Sequence, residues 1–140
     1  MEPYTDRKKG KIDLLDEKIL ELLRLNSRFT NKAIATVVNV SEGTVRRRIK
    51  LLQQRKVISR FTIETTELKE AIILSKYDPN QKTAILEQLK KISRKVYEVA
   101  GKSDIAIMVS YWSLMELNEF IDRIREIKGI KNTETMIRLK

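Results

Sequence analysis

Four cations on one short predicted helix are the residues of this sequence with the clearest chemical use. They lie within residues 29–59, FTNKAIATVVNVSEGTVRRRIKLLQQRKVIS, and are Arg46, Arg47, Arg48 and Lys50. Guanidinium and ammonium groups donate hydrogen bonds to phosphate oxygens and to the edges of bases. A charge run on its own is usually a solvated helix face, so the meaning of these cations depends on the elements that position them.

The surrounding residues predict that this helix is the third of three. The first should begin at Asp13, whose side chain can cap it, and should fade at residues 26–27. The second should begin after Thr30 and end at Asn39, because asparagine tolerates the left-handed conformation of a tight turn. Ser41 should cap the third. The predicted apolar side of the second helix consists of Ala33, Ile34, Val37 and Val38.

The third helix is predicted to have one apolar face and one basic face. Its apolar residues recur at i, i+4 and i+7 and are Val45, Ile49 and Leu52. At about 100° per residue, Gly43, Arg47 and Lys50 point away from that stripe, and Arg46 lies at its flank. Arg48 lies nearer the buried edge, so we expect it to pair with an intramolecular carboxylate or with a phosphate.

A basic helix behind a good N-cap, directly after another small helix, predicts a unit that enters the major groove of DNA. The candidate DNA-binding residues are Arg46, Arg47, Lys50, Thr44, Gly43, Arg28 and Lys32. Which of the three helix cations reads a base is left open. Thr44 either touches the DNA backbone or completes the first helical turn, Gly43 either allows close approach or is neutral, and Arg28 and Lys32 bind phosphate or are only solvated.

Composition favours a polyanion as the partner. The net charge is +10, with 15 Lys/Arg against 8 Asp/Glu in residues 1–66 and 14 against 11 in residues 67–140. The sequence has no cysteine and no histidine, which excludes disulfides, thiolate zinc sites and histidine acid–base chemistry. No apolar run approaches the ~20 residues that span a bilayer. We therefore expect a cytoplasmic protein that is not an enzyme and needs no metal or cofactor.

The second half of the chain has the rhythm β-α-β-β-α-β, which is typical of a ferredoxin-like sandwich. The predicted strands are residues 71–74, 96–100, 105–109 and 133–139, and a further strand, residues 57–63, should lead out of the helical part. Ser113 should cap the second helix of this half, and residues 128–129 should end it. The fold class is thus α+β, with domains at residues 1–63 and 71–140 joined by a short connector, residues 64–70.

In these features the chain resembles the leucine-responsive regulatory protein (Lrp/AsnC) family of prokaryotic transcription regulators. The residues that carry the resemblance are Ile12, Asp13, Asp16, Ile19, Leu20, Ser41, Thr44, Val45, Arg47, Arg48, Ile49, Leu52, Val57, Ile58, Gly101, Asp104, Gly129, Ile130, Thr133, Glu134 and Thr135. The resemblance implies a helix-turn-helix domain followed by a ligand-sensing (RAM-type) domain. It also implies a homodimer formed through the C-terminal sheets, further assembly of dimers, and an amino-acid effector bound between them.

The resemblance also implies an effector site. Its residues would be Gly101, Asp104, Asn118, Asp122, Thr133 and Thr135. Backbone N–H groups and hydroxyls can hold a carboxylate, and an acidic side chain can hold an ammonium; if Asp122 faces the pocket, a basic effector such as lysine is favoured. The alternative is that residues 101–104 form an ordinary β-turn and that the threonines are routine strand residues.

The chain departs from the family pattern at two places. The first is the hinge itself: residues 64–70 are a shorter connector than many relatives have. The second lies in the turn before Val57 and Ile58, where Lys56 stands in place of the glycine usual in relatives, so that turn must tolerate a side chain or relax its geometry. We expect a sequence-specific, effector-modulated regulator of transcription that binds double-stranded DNA. The rival interpretations are an architectural protein that coats DNA with little sequence preference, and a small-molecule-binding protein or enzyme whose helical unit is vestigial.

Overall fold

The structure is a computed structural model that describes residues 12–139. The chain forms two compact units, which divide between Glu64 and Thr65. Residues 1–11 and residue 140, which the sequence analysis assigns to the two predicted domains, lie outside the described residues.

The N-terminal unit consists of three helices that begin at the three predicted caps. They are α1 (Leu14–Leu25), α2 (Asn31–Val38) and α3 (Glu42–Gln54). The side chains of Asp13, Thr30 and Ser41 each accept a hydrogen bond from a backbone N–H in the first turn, which satisfies a group the helix leaves unpaired. Asn39 ends α2 with a φ of 56°, the left-handed conformation expected of it.

The three helices enclose a small apolar core. Ile19 from α1, Ile34 from α2 and Val45 from α3 are buried within it. The predicted apolar side of α2 is partly wrong. Ala33 and Val37 are exposed, whereas Ala35, which was not predicted to be buried, faces the core. A helix of eight residues makes only about two turns, so the spacing of its apolar residues predicts poorly which of its sides faces the core. The small alanine side chain faces the core beside Ile34.

Residues 57–63 do not form the predicted strand. The backbone N–H groups of Val57 and Ile58 both donate to the carbonyl of Leu52, at 2.9 and 3.1 Å, and so turn the chain back onto the end of α3. Within residues 12–139, no strand pairs with this segment, and alternation of apolar residues makes a strand only when a neighbour supplies the hydrogen bonds. Lys56 tolerates the turn at a φ of 60°, a conformation that costs roughly 1–2 kcal/mol for a residue with a Cβ.

The C-terminal unit has the predicted β-α-β-β-α-β order. Its elements are β1 (Lys69–Tyr77), α4 (Lys82–Ile92) after a short 3-10 turn (Pro79–Gln81), β2 (Lys95–Glu98), β3 (Ile105–Tyr111), α5 (Leu114–Arg125) and β4 (Ile130–Ile137). The strands form one antiparallel sheet in the order β2-β3-β1-β4. This arrangement confirms the α+β class and the ferredoxin-like sandwich.

Several element boundaries differ from those predicted. The strand β1 starts two residues earlier than expected and runs three residues further, because it has a hydrogen-bonded partner on each side. Ser113 caps α5 as predicted, but the helix ends at Arg125 and the last strand begins at Ile130. Gly129 joins them at a φ of 97°, where a Cβ would lie 2.9 Å from Cδ1 of Ile85. The backbone conformation therefore favours glycine, and an added Cβ would in addition force the end of the Ile85 side chain to shift.

The two faces of the sheet differ in what covers them. One face packs against α4 and α5 through a core that includes Ile73, Ile107, Ile85 and Leu117. The residues that alternate with this core lie on the opposite face, which we call the open face. Its apolar residues are Ile72, Leu74, Tyr97, Ala106, Met108 and Met136, and the charged Lys95 and Glu134 lie among them. Tyr97 and Met136 are each 51% exposed. Among the described residues, no helix is long and apolar enough to cross a bilayer.

Candidate functional site

The outer surface of α3 carries cations that are available to a ligand. Arg47 and Lys50 are exposed and form no ion pair with any residue in the described range 12–139. Gly43 is exposed near the start of the same helix, and a Cβ there would meet only the hydroxyl of Ser41, at 3.9 Å. Arg46 is also exposed, but its guanidinium lies 2.6 Å from the carboxylate of Glu42. The helix therefore presents two unengaged cations and one that is already paired.

The remaining candidates for DNA contact lie near the beginnings of α2 and α3. The hydroxyl of Thr44 lies 2.8 Å from that of Ser41, within the first turn of α3. Arg28 and Lys32 are exposed, and Arg28 precedes α2, in a turn where its backbone N–H donates to the side chain of Asn26. The structure thus places cations on both helices of the pair.

Arg48 is the intramolecular partner that its angular position predicts. Its guanidinium lies 2.6 Å from a carboxylate oxygen of Asp13 and 3.3 Å from one of Asp16, and the Asp16 side chain is 4% exposed. The pKa of Asp13 lies below its ordinary value because its side chain accepts hydrogen bonds, first from the backbone N–H of Asp16 and then from Arg48. The same pairing raises the pKa of Arg48. This network ties α3 to the beginning of α1.

The predicted effector residues of the β2–β3 turn are attached to the end of β1. The backbone N–H of Asp104 donates to the carbonyl of Ser75 at 2.9 Å, and its side chain accepts from the backbone N–H of Tyr77 at 3.2 Å. Gly101 is exposed, with a φ of 146°. Asp104 therefore orders this turn, and one of its two carboxylate oxygens is used in doing so.

The other predicted effector residues lie on α5 and β4. Thr133 and Thr135 are half-buried, and Thr135 pairs with the buried Ile73, so it faces the helices. The side chain of Arg125 donates to the hydroxyl of Thr133 at 2.9 Å. Asn118 and Asp122 are exposed on α5.

Two residues that the sequence analysis missed connect these elements. The buried hydroxyl of Ser75 lies at the irregular point of the β1–β4 pairing, 2.9 Å from the carbonyl of Lys131. Since Asp104 also binds the Ser75 backbone, the β2–β3 turn and the start of β4 lie at the same end of the sheet. Arg125 is the second missed residue, and its position three residues after Asp122 was the available signal.

The comparisons with known proteins agree with this architecture. Residues 12–53 match the AsnC-type helix-turn-helix domain, and residues 70–140 match the Lrp/AsnC ligand binding domain. The chain belongs to the Lrp/AsnC family. One relative, the HTH-type transcriptional regulator LysM of Saccharolobus solfataricus, is 38% identical over 136 residues, covering 92% of this chain and 94% of the relative.

Solved structures of the family have the same fold. The structure of AsnC from E. coli is 27% identical and superposes with a TM-score of 0.67, covering 92% of this chain and 93% of that one. A feast or famine regulatory protein from M. tuberculosis, solved in complex with L-methionine, superposes with a TM-score of 0.73 at 24% identity, covering 91% of this chain and 92% of that one. These Lrp/AsnC structures support the helix-turn-helix and sandwich architecture.

Replacing Arg48 with Gln should destabilise the N-terminal unit by roughly 1–3 kcal/mol, because Asp16 then keeps a buried carboxylate without its guanidinium. The dependence of the unfolding free energy on pH should also change at acidic pH. A carboxyl whose pKa is lowered by folding stabilises the fold above its ordinary value of 3.8, and this contribution is lost as pH falls through the lowered value. In the variant, the protein should therefore lose less stability as the pH falls than the wild type does. Thermal unfolding followed between about pH 3 and pH 6 measures both effects.

The matched control is Arg47 replaced with Gln, the same change one residue away on the exposed side of α3. It should leave the unfolding temperature unchanged at every pH. Equal behaviour of the two variants would contradict the assignment of Arg48 as the tie between α3 and α1.

Proposed function

We propose that this Lrp/AsnC-family protein is a sequence-specific DNA-binding transcription regulator whose activity an amino acid modulates. The observation that carries the DNA-binding part is the outer surface of α3, where Arg47 and Lys50 are exposed and unpaired among the described residues beside the small Gly43. A helix with such a surface fits the major groove, where arginine reads guanine and lysine binds phosphate. Arg28 and Lys32 supply phosphate contacts next to it.

The open face of the C-terminal sheet supports a homodimer. Six largely apolar residues lie together on it. Burial of the exposed surface of Tyr97 and Met136 would lower the free energy, because apolar surface would leave water. A second copy of the same face is self-complementary around a two-fold axis. A dimer would present two α3 helices to half-sites about one DNA turn apart, which predicts a pseudo-palindromic operator. Further assembly of such dimers belongs to the same proposal.

The end of the sheet that carries both the β2–β3 turn and the start of β4 supports an amino-acid site. It offers the backbone of Gly101, the second carboxylate oxygen of Asp104 and the hydroxyl of Thr133, and Thr135 lies two residues further along β4. On α5, Asn118 and Asp122 add an amide and an exposed carboxylate. The M. tuberculosis relative solved with L-methionine supports an amino acid as the ligand class. The carboxylate of Asp122 would favour a basic effector such as lysine.

Replacing Arg47 with Ala should weaken binding to the operator by roughly 1–3 kcal/mol, if its guanidinium reads a base. Arg24 replaced with Ala is the matched control, because it removes one exposed cation from the same unit but from α1. Fluorescence anisotropy with operator and random duplexes, after selection of the operator from genomic fragments, measures both. Equal loss on both duplexes would assign Arg47 to phosphate, and binding without preference for any fragment would favour an architectural protein.

Replacing Met136 with Glu should dissociate the dimer, because the open face would then have to bury a carboxylate without a partner. Ile137 replaced with Glu is the control: it is the next residue of β4, is 44% exposed, and pairs with Ala71 on the helix-facing side. Sedimentation equilibrium should give a monomer for the first variant and the wild-type mass for the second. A wild-type mass for both would place the interface elsewhere.

Lysine should raise the unfolding temperature of the wild-type protein, since a ligand at 100 times its Kd stabilises by about 2.7 kcal/mol. Asp122 replaced with Asn should abolish the shift with lysine or arginine and retain any shift with glutamine or methionine. Glu119 replaced with Gln, on an exposed position of the same helix, should change nothing. If none of the four amino acids shifts the wild-type transition, the basic-effector proposal is wrong.

A further inference from the structure

Two charged residues of opposite sign interrupt the apolar surface of the open face. Lys95 lies on β2 opposite Met108, and Glu134 lies on β4 opposite Leu74. Residues directly opposite each other on neighbouring strands share a face of the sheet, so both charged side chains leave it on the open side. Lys95 is half-buried and Glu134 is exposed. A charge on a surface that becomes buried needs a partner of opposite sign.

The two charges are too far apart to pair with each other within one copy. The strand order is β2-β3-β1-β4, so Lys95 and Glu134 lie on the two edge strands. Neighbouring strands are about 4.8 Å apart, which separates the edge strands by roughly 14 Å. Neither residue forms an ion pair with any residue in the range 12–139. A second copy of the chain can supply a partner to each of them.

The other charged residues near this surface lie toward the two ends of the sheet. At one end, the carboxylate of Glu70 lies 3.1 Å from the guanidinium of Arg138. At the other end, Lys76 and Lys131 pair with each other in the strand register beyond the irregular point of β1 and β4. The middle of the open face therefore carries only two charges, those of Lys95 and Glu134.

The strand register places these two charges at diagonally opposite corners of the apolar surface. Two neighbouring rows of residues cross the sheet from β2 to β4. The first row is Lys95, Met108, Ile72 and Met136, and the second is Tyr97, Ala106, Leu74 and Glu134. Each row has a single charge, which is positive at the β2 edge and negative at the β4 edge.

A two-fold axis can bring two such faces together in two aligned ways. If the axis runs along the strands, β2 of one copy covers β4 of the other, and Lys95 lies within two positions of the partner's Glu134. If the axis runs across the strands, β2 covers β2 and β4 covers β4, so that like charges approach. Like charges brought together in an interface are unfavourable, whereas opposite charges at its rim fix the register. The charges therefore favour the first arrangement.

We propose that the open faces of two copies pack with β2 of each over β4 of the other, and that Lys95 of each copy pairs with the partner's Glu134. The proposal rests on the proposed function, because it takes the open face as the dimer interface. It adds the orientation of the two copies and the polar contact that selects it. By symmetry the dimer contains this ion pair twice, so each substitution at either position acts twice.

The test is a charge-reversal cycle, with the dimer dissociation constant measured by sedimentation equilibrium over a dilution series. Lys95→Glu and Glu134→Lys should each raise this constant by about tenfold or more, because each places like charges together twice. The double variant restores opposite charges and should return to within about threefold of wild type. The two single changes shift the net charge in opposite directions, so a loss in both is not an effect of net charge.

The matched controls are Lys90→Glu and Glu119→Lys, on exposed positions of α4 and α5. Both helices cover the other face of the sheet, so these reversals should keep the wild-type dissociation constant. If β2 covered β2, every variant of the cycle would keep like charges together, as the wild type does. Single variants with the wild-type constant, or a double variant no tighter than the single ones, therefore overturn the proposal.

Crosslinking gives a second readout that does not depend on the charges. The chain contains no cysteine, so Lys95→Cys and Glu134→Cys each introduce a single thiol. Packed sheets are about 10 Å apart, so a bis-maleimide that spans about 10–13 Å can join thiols on facing strands. An equimolar mixture of the two variants should give a covalent dimer, and neither variant alone should. Crosslinking of either variant alone, or of no sample, overturns the proposal.

These outcomes are separate from those that test the dimer itself. If the wild-type protein is a monomer, or if the Met136 variant keeps the wild-type mass, the open face is not the interface, and this proposal fails with that one. If the Met136 variant dissociates while the single charge reversals do not weaken the dimer, the open face remains the interface and only the proposed orientation is wrong.

Discussion

The guanidinium of Arg48 holds α3 against the beginning of α1, and the rest of the N-terminal unit depends on that tie. Asp16 is 3% exposed, and an unpaired carboxylate at such a position would be strongly unfavourable. Its pairing with Arg48 ties α3 to the beginning of α1 in the same rotation that buries the apolar stripe of α3. With this rotation Val45 and Leu52 are buried and Arg47 faces outward. The apolar packing of α3 and this ion pair together determine which of its cations face outward.

The C-terminal unit depends on a different constraint, the need of every strand for a hydrogen-bonded neighbour. The central strands β1 and β3 each have two neighbours, and their helix-facing residues are almost fully buried. The sandwich covers only one face of the sheet with its own helices, so apolar side chains of the open face such as Tyr97 and Met136 remain half exposed. In a two-layer fold of this kind the strands have their hydrogen-bonded neighbours, but apolar side chains on one face of the sheet remain partly exposed.

The features that the sequence predicted correctly depend on residues close together in the chain, and those it missed depend on residues far apart. The caps at Asp13, Thr30 and Ser41 were predictable because each bond spans three residues. Arg48 was predictable from its angle on the helix. The predicted strand at residues 57–63 was wrong because alternation of apolar residues does not show whether a neighbouring strand is present to pair with it. The contact of Ser75 with Lys131 was missed because the two residues lie 56 positions apart in the chain. Whether the predicted site residues bind DNA or an effector stays a prediction.

The candidate effector residues also hold the fold together, which limits how they can hold a ligand. Thr133 accepts a hydrogen bond from Arg125, so its hydroxyl retains a proton to donate. Asp104 spends one oxygen on the backbone of Tyr77 and keeps the other. A zwitterion bound there would therefore meet hydroxyl donors on β4 for its carboxylate and the one remaining carboxylate oxygen of Asp104 for its ammonium. Because these groups are tied to β1 and α5, a ligand that displaced or tightened them would act on the same strands that carry the open face.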